Sequence, residues 1–141
     1  MTPEVALINA IRTLLKASES PIKNMVGQNV FDQVDTTTKP PYVYIGPAGR
    51  TRRLDIDCFE VWTQRLRIYV IYLSWDRTQV WEAAEAIIQA LDLLDAEKGF
   101  VLATPFSLQE PLKITQAGDV IDPTAPKSVF VDLTTTIARA S

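Results

Sequence analysis

The chain has 141 residues, 47% apolar and 22% charged, enough for one domain with a sizeable core. Its 17 acidic residues outnumber its 14 basic ones for a net charge of −3, so no general affinity for nucleic acid follows. It has no histidine, which removes the commonest metal ligand and the commonest general base near neutral pH. Its one cysteine, Cys58, excludes an intrachain disulfide and fits a reducing compartment.

The opening MTPEVALINA lacks the basic-then-apolar order of a secretion signal. Thr2-Pro3-Glu4 reads as a helix start, with Thr2 as cap, Pro3 in the first turn and Glu4 at the positive end of the dipole. Leu7, Ile8, Ile11, Leu14 and Leu15 then form one apolar stripe, which should stop near residues 17–20, before Pro21. One further turn over 21–26, ended by Gly27, leads to a short strand at Val30 and Phe31.

The run DQVDTTTKPP at 32–41 has no helical stripe and reads as a loop. Pro41 opens a strand over 42–45, which Gly46-Pro47 ends or kinks. Residues 48–58 are polar, with a basic cluster of Arg50, Arg52 and Arg53, and read as an excursion or hairpin arm. Residues 60–73 are the longest strand candidate. There Leu66, Ile68, Val70 and Tyr72 share one side, while the other begins wet at Arg65 and Arg67. That second side then turns apolar at Tyr69, Ile71, Leu73 and Trp75. The uninterrupted apolar run 68–73 is far short of the roughly 20 residues a membrane-spanning helix needs.

Asp76 and Gln79 suit a capping box for the next helix. Val80, Ala84, Ile87, Leu91 and Leu94 form its stripe, carrying it to about Asp95, before a turn at Gly99. The last third reads as a β-hairpin. Its first arm, 106–117, is interrupted by Pro111; a long connection over 118–127 follows; its second arm, 128–138, alternates β-branched residues. Helices separated from runs of strands imply an α+β fold. We expect a mostly antiparallel sheet with two main helices on one face, plus a protruding β-arm or loop, in a single domain over 1–141.

The helices take one sheet face, which leaves Tyr69, Ile71 and Trp75 needing a cover, since a bare β-prone segment invites aggregation. Either chain segments such as 99–108 fold over it, or a neighbouring subunit does. The tryptophans Trp62, Trp75 and Trp81 suit either a core or a contact between chains.

No chemistry is expected. The carboxylate pairs Asp55/Asp57 and Asp92/Asp95 have no further ligands nearby and read as solvated charge. Cys58 has no histidine partner, and GPAG at 46–49 lacks the lysine and helix of a phosphate loop. The Arg50, Arg52, Arg53 cluster suits a solvated loop first, or else phosphates or an acidic partner surface, its charge blunted by Asp55 and Asp57. The reading is non-enzymatic, without cofactor, metal, membrane or sequence-specific nucleic acid.

The order of elements resembles the tail completion proteins of long-tailed bacteriophages and prophages, also called tail terminators or head–tail joining proteins. The likeness rests on VGQNVF at 26–31, PPYVYIG at 40–46, RIYVIYLSWDRTQVWEAAEAIIQAL at 67–91 and the closing SVFVDLTTTIA at 128–138. GRTRRLDIDCFEVW at 49–62 departs from the family's usual Gly/Thr/Asp-rich turn. The resemblance implies a virion structural protein of the tail neck, made in the bacterial host cytoplasm. Such proteins form a ring with themselves, usually hexameric. The ring sits on the tail tube protein, stops tube growth and meets the head connector protein. On this resemblance, Tyr69, Ile71 and Trp75 are expected to contribute to a subunit contact or to packing beside it, and Arg50, Arg52 and Arg53 to touch a neighbour or the tube. The alternative is a non-enzymatic adaptor module presenting a free sheet edge to one protein ligand.

Overall fold

Helix α1 (Pro3–Lys16) starts where the Thr2 hydroxyl accepts a hydrogen bond from the Val5 amide at 3.3 Å, with Glu4 in its first turn. The computed structural model describes residues 2–17, 22–27, 29–31, 41–56, 59–72, 77–91, 102–120 and 127–140. The α1 stripe buries Ala6, Leu7, Ile11 and Leu15, with Ile8 and Leu14 partly covered at its margins. The single turn α2 (Lys23–Val26), followed by Gly27, delivers the chain to β1 (Val30–Phe31). Three long elements follow: β2 (Tyr42–Ile56), β3 (Phe59–Tyr72) and α3 (Arg77–Leu91). The expected cap Asp76 and the helix end at 92–95 lie outside the described residues. The chain closes with β4 (Phe106–Leu108), β5 (Lys113–Val120) and β6 (Lys127–Ala140).

The strands form one sheet in the order β1-β2-β3-β6-β4, with β5 also on β6. Among the described residues, only the short β1–β2 pair is parallel. The β3–β6 ladder runs unbroken from Phe59↔Ala140 to Tyr72↔Lys127 and forms the spine. Alternation along it sorts the side chains. Trp62, Leu66, Ile68 and Val70 of β3, and Val129, Val131, Leu133 and Ile137 of β6, face the core with α1 and α3. Burying one such side chain contributes about 1.5–3 kcal/mol, so the shared inner face holds the helices to the sheet.

Three expectations are refined. Residues 48–56 continue β2 as the distal half of a hairpin with β3, so Gly46-Pro47 kinks the strand instead of ending it. A bulge between Ile45 and Ala48 marks the kink. Gly46 has φ +144°, a backbone conformation that favours glycine. The distal hairpin is also broader than an isolated arm, because β6 runs beside it out to Ala140.

The expected first arm at 106–117 is two strands lying end to end along one side of β6. β4 pairs with residues 137–139 and β5 with 128–134. Pro111, which cannot donate to a ladder, sits in the gap. There the Gln109 amide donates to Thr136 O, and the Thr135 hydroxyl donates to Glu110 O at 2.8 Å.

The described part of the 99–108 segment lies at the far end of β6 from Tyr69 and Ile71. Leu108 is opposite Ile137, whereas Tyr69 is opposite Phe130, a separation of about 23 Å along the strand. Leu102 and Phe106 are buried in the core at that end, so these residues do not cover the second face.

A candidate interaction surface on the outward sheet face

Positions 65, 67, 69 and 71 of β3 alternate out from the core, as do 128, 130, 132 and 134 of β6. This outward face is half-buried within the single chain. Its centre is a charged clip: Arg67 donates to both Asp132 carboxylate oxygens, at 2.7 and 3.0 Å. The two residues are direct cross-strand partners, which suits the bidentate fork. Arg67 is held above its ordinary pKa, first by the hydrogen bond to Asp132. The same guanidinium lies over the Phe130 ring, 4.2 Å from its centroid. On the other side of β6, Gly118 leaves room for that ring, since a Cβ there would stand 3.0 Å from its Cζ.

Beyond the clip lies an aromatic strip. Tyr44 and Tyr69 stack with centroids 6.3 Å apart, and Phe31 and Tyr42 meet at 6.2 Å. Burial raises the Tyr42 pKa above the ordinary phenol value. Tyr69 and Ile71, both read from sequence as contact residues, are on this strip and only half-buried. Trp75 lies outside the described residues.

The basic cluster has another setting. Arg50 is opposite Gln64 on the inner side of the distal hairpin. It pairs with Glu4 of α1 at 3.3 Å and lies over the Trp62 ring at 5.0 Å. Arg52 is exposed, and Arg53 follows it on the same strand. Sequence reasoning therefore grouped three arginines, of which Arg50 also ties the hairpin to α1. Trp62 proves to be core, and Trp81 donates its indole N–H to Asp119 of β5 at 2.8 Å.

The sequence reading missed the pairing of Arg67 with Asp132, residues that lie 65 apart and meet only through strand register. It also missed that β2 and β5 are bulged at one level. One bulge lies between Ile45 and Ala48, the other between Ile114 and Gln116, flanking the Arg67–Asp132 row. Bulges bend strands, and here they flank a concavity of about 530 Å³ on the outward face. Among the described residues, no group of three or more His, Cys, Asp or Glu could hold a metal ion. No described helix is long and apolar enough to cross a membrane. What the face offers is shape, aromatic surface and hydrogen-bonding groups, the means of contact between proteins.

Over residues 9–138 the sequence matches the family described as tail completion protein gp17. The chain belongs to that family. This tail completion protein is accordingly a phage tail structural protein, and its place is in the virion. Its fold is similar to that of a chain in a solved structure described as the virion of a native gene transfer agent (GTA) particle. The TM-score is 0.72 at 21% identity, covering 99% of this chain and 95% of that one. At that identity the likeness is one of fold. No curated protein matches the sequence.

Proposed function

We propose that this protein caps the head-proximal end of a phage tail tube, ends tube polymerisation and joins the tail to the head connector, as a ring of six copies. The observation that carries the reading is an outward sheet face left half-covered beside two open edges. Among the described residues, β5 pairs with β6 alone, and residues 48–56 of β2 pair with β3 alone. A ring is built from heterologous contacts, each joining two different patches of neighbouring copies. One edge, or the aromatic strip, supplies each patch, and closure removes the hazard of unpaired strands.

In this reading Tyr69 and Ile71, continued by Trp75, form part of the subunit contact. The distal hairpin with Arg50, Arg52 and Arg53 reaches the neighbouring copy or the tail tube. The protein works by shape and contact, without catalysis. The free β5 edge also supports a second reading, an adaptor that binds one extended protein ligand by strand addition. Electron microscopy of the protein mixed with purified tail tubes separates the two. Rings seated at one tube end support the capping reading; bare ends, with the protein monomeric in the same mixture, overturn it.

A further inference from the structure

The concavity between the two bulges carries a further assignment. Its floor and walls come from Pro47, Gly49, Arg65, Thr115 and Thr134 around the Arg67–Asp132 pair. The two arginines differ. Arg67 spends its fork on Asp132. Arg65 is exposed; its Nη1 donates to the Thr51 hydroxyl at 3.0 Å, and its Nη2 lies 3.6 Å from where a Gly49 Cβ would stand. Among the described residues, Arg65 meets no carboxylate. Asp132 cancels one of the two cations, so among the described residues the pocket presents one positive charge with no carboxylate against it, beside the hydroxyls of Thr63, Thr115 and Thr134. Thr115 already donates to Asp132 O, fixing that wall.

We propose that this pocket receives a single carboxylate, carried on an acidic side chain of a partner protein, with Arg65 as its counter-ion. The inference rests on the tail-joining reading only for the partner's place in the virion. Three features select the ligand. A planar carboxylate matches the guanidinium fork. One cation that meets no carboxylate among the described residues suits one anionic group, whereas a nucleic-acid backbone calls for a row of cations along its track. Asp132 at the floor and the protein's net charge of −3 further disfavour a polyanion. Gly49, which has no side chain, lies in the wall beside Arg65, next to the bulge at 45–48.

The test is an NMR titration of the full chain with N-acetylglutamate methylamide, which carries one carboxylate, with inorganic phosphate as a parallel arm, reading backbone amides and arginine Nε–H signals. Saturable shifts are expected at Arg65 Nε and at the Gly49 and Thr134 amides, with Arg67 Nε little moved. Arg65→Gln, whose spectrum should otherwise overlay on that of the wild type, should weaken binding of the capped glutamate at least about tenfold. The assignment is overturned if no saturable shift occurs, if Arg65→Gln binds as well, or if phosphate binds this site as tightly as the capped glutamate. Because the titration uses the isolated chain, its failure is distinct from a failure to cap tail tubes.

Discussion

Gly118→Ala sets two effects of similar size against each other. The Gly118 backbone is one that an L side chain adopts, so alanine would ordinarily stabilise by about 0.4–1 kcal/mol, by restricting the unfolded chain. Here, however, the new Cβ would lie 3.0 Å from Phe130 Cζ and 3.1 Å from Cε1. The ring cannot simply swing clear, because Arg67 lies 4.2 Å from its centroid and is pinned to Asp132. Overpacking of this kind costs about 1–3 kcal/mol, and the lower half of that range suits a half-buried ring. The clash should win, leaving Gly118→Ala destabilised by about 1 kcal/mol. In a Phe130→Leu background the clash is relieved and the sign should invert, with alanine stabilising by a few tenths of a kcal/mol or more. Urea denaturation of the four proteins, with unchanged m-values, measures both quantities. Stabilisation by Gly118→Ala in the wild-type background would refute the packing of Phe130 over Gly118, and with it the intrachain cover assigned to this face.

Three other substitutions probe separate links. Gln64 is fully buried and donates to Gly49 O at 2.9 Å, so Gln64→Glu must be protonated to keep that bond. Its folded pKa should then rise above the unfolded value of about 4.3. The variant should match the wild type best below that pH and lose stability as pH climbs through the folded pKa, a trend that melts at several pH values will show or exclude. Trp81→Phe removes the indole donor from Asp119, which Arg77 still meets at 3.4 Å, and should cost about 1–2 kcal/mol in urea titrations; no loss would make the bond dispensable. Replacing Arg50, Arg52 and Arg53 together by glutamate should abolish addition to purified tail tubes. The Arg50 change sets like charges beside Glu4 but should cost under about 1 kcal/mol, so a folded triple variant that caps normally removes the hairpin from the contact.

The fold was legible where period and punctuation agreed. The α1 stripe and its Thr2 cap, the spacing from Val80 to Leu91, and the alternation of residues 128–138 each point to one structure. Legibility fell where one signal serves two geometries. Gly46-Pro47 fits an end or a kink, and the choice depends on whether β3 continues alongside, which it does. Pro111 fits an interruption of one strand or a break between two. The outward face was half-legible. Its apolar side chains stand in order on β3, but their partners come from β2, β5 and β6 through a register that alternation alone does not set. Arg67 and Asp132 look like ordinary wet positions until the ladder sets them opposite each other.

The central claim is that the half-covered aromatic strip is a surface for joining copies into a ring. Ile71→Asp tests it most directly, because the residue is only half-buried and points away from the helices. The variant's circular dichroism and melting are compared with those of the wild type, and both proteins are added to growing tail tubes whose ends are imaged by electron microscopy. The expected result is a folded variant that forms no rings and leaves tube growth unchecked. A folded variant that seats rings and stops growth as the wild type does would contradict it.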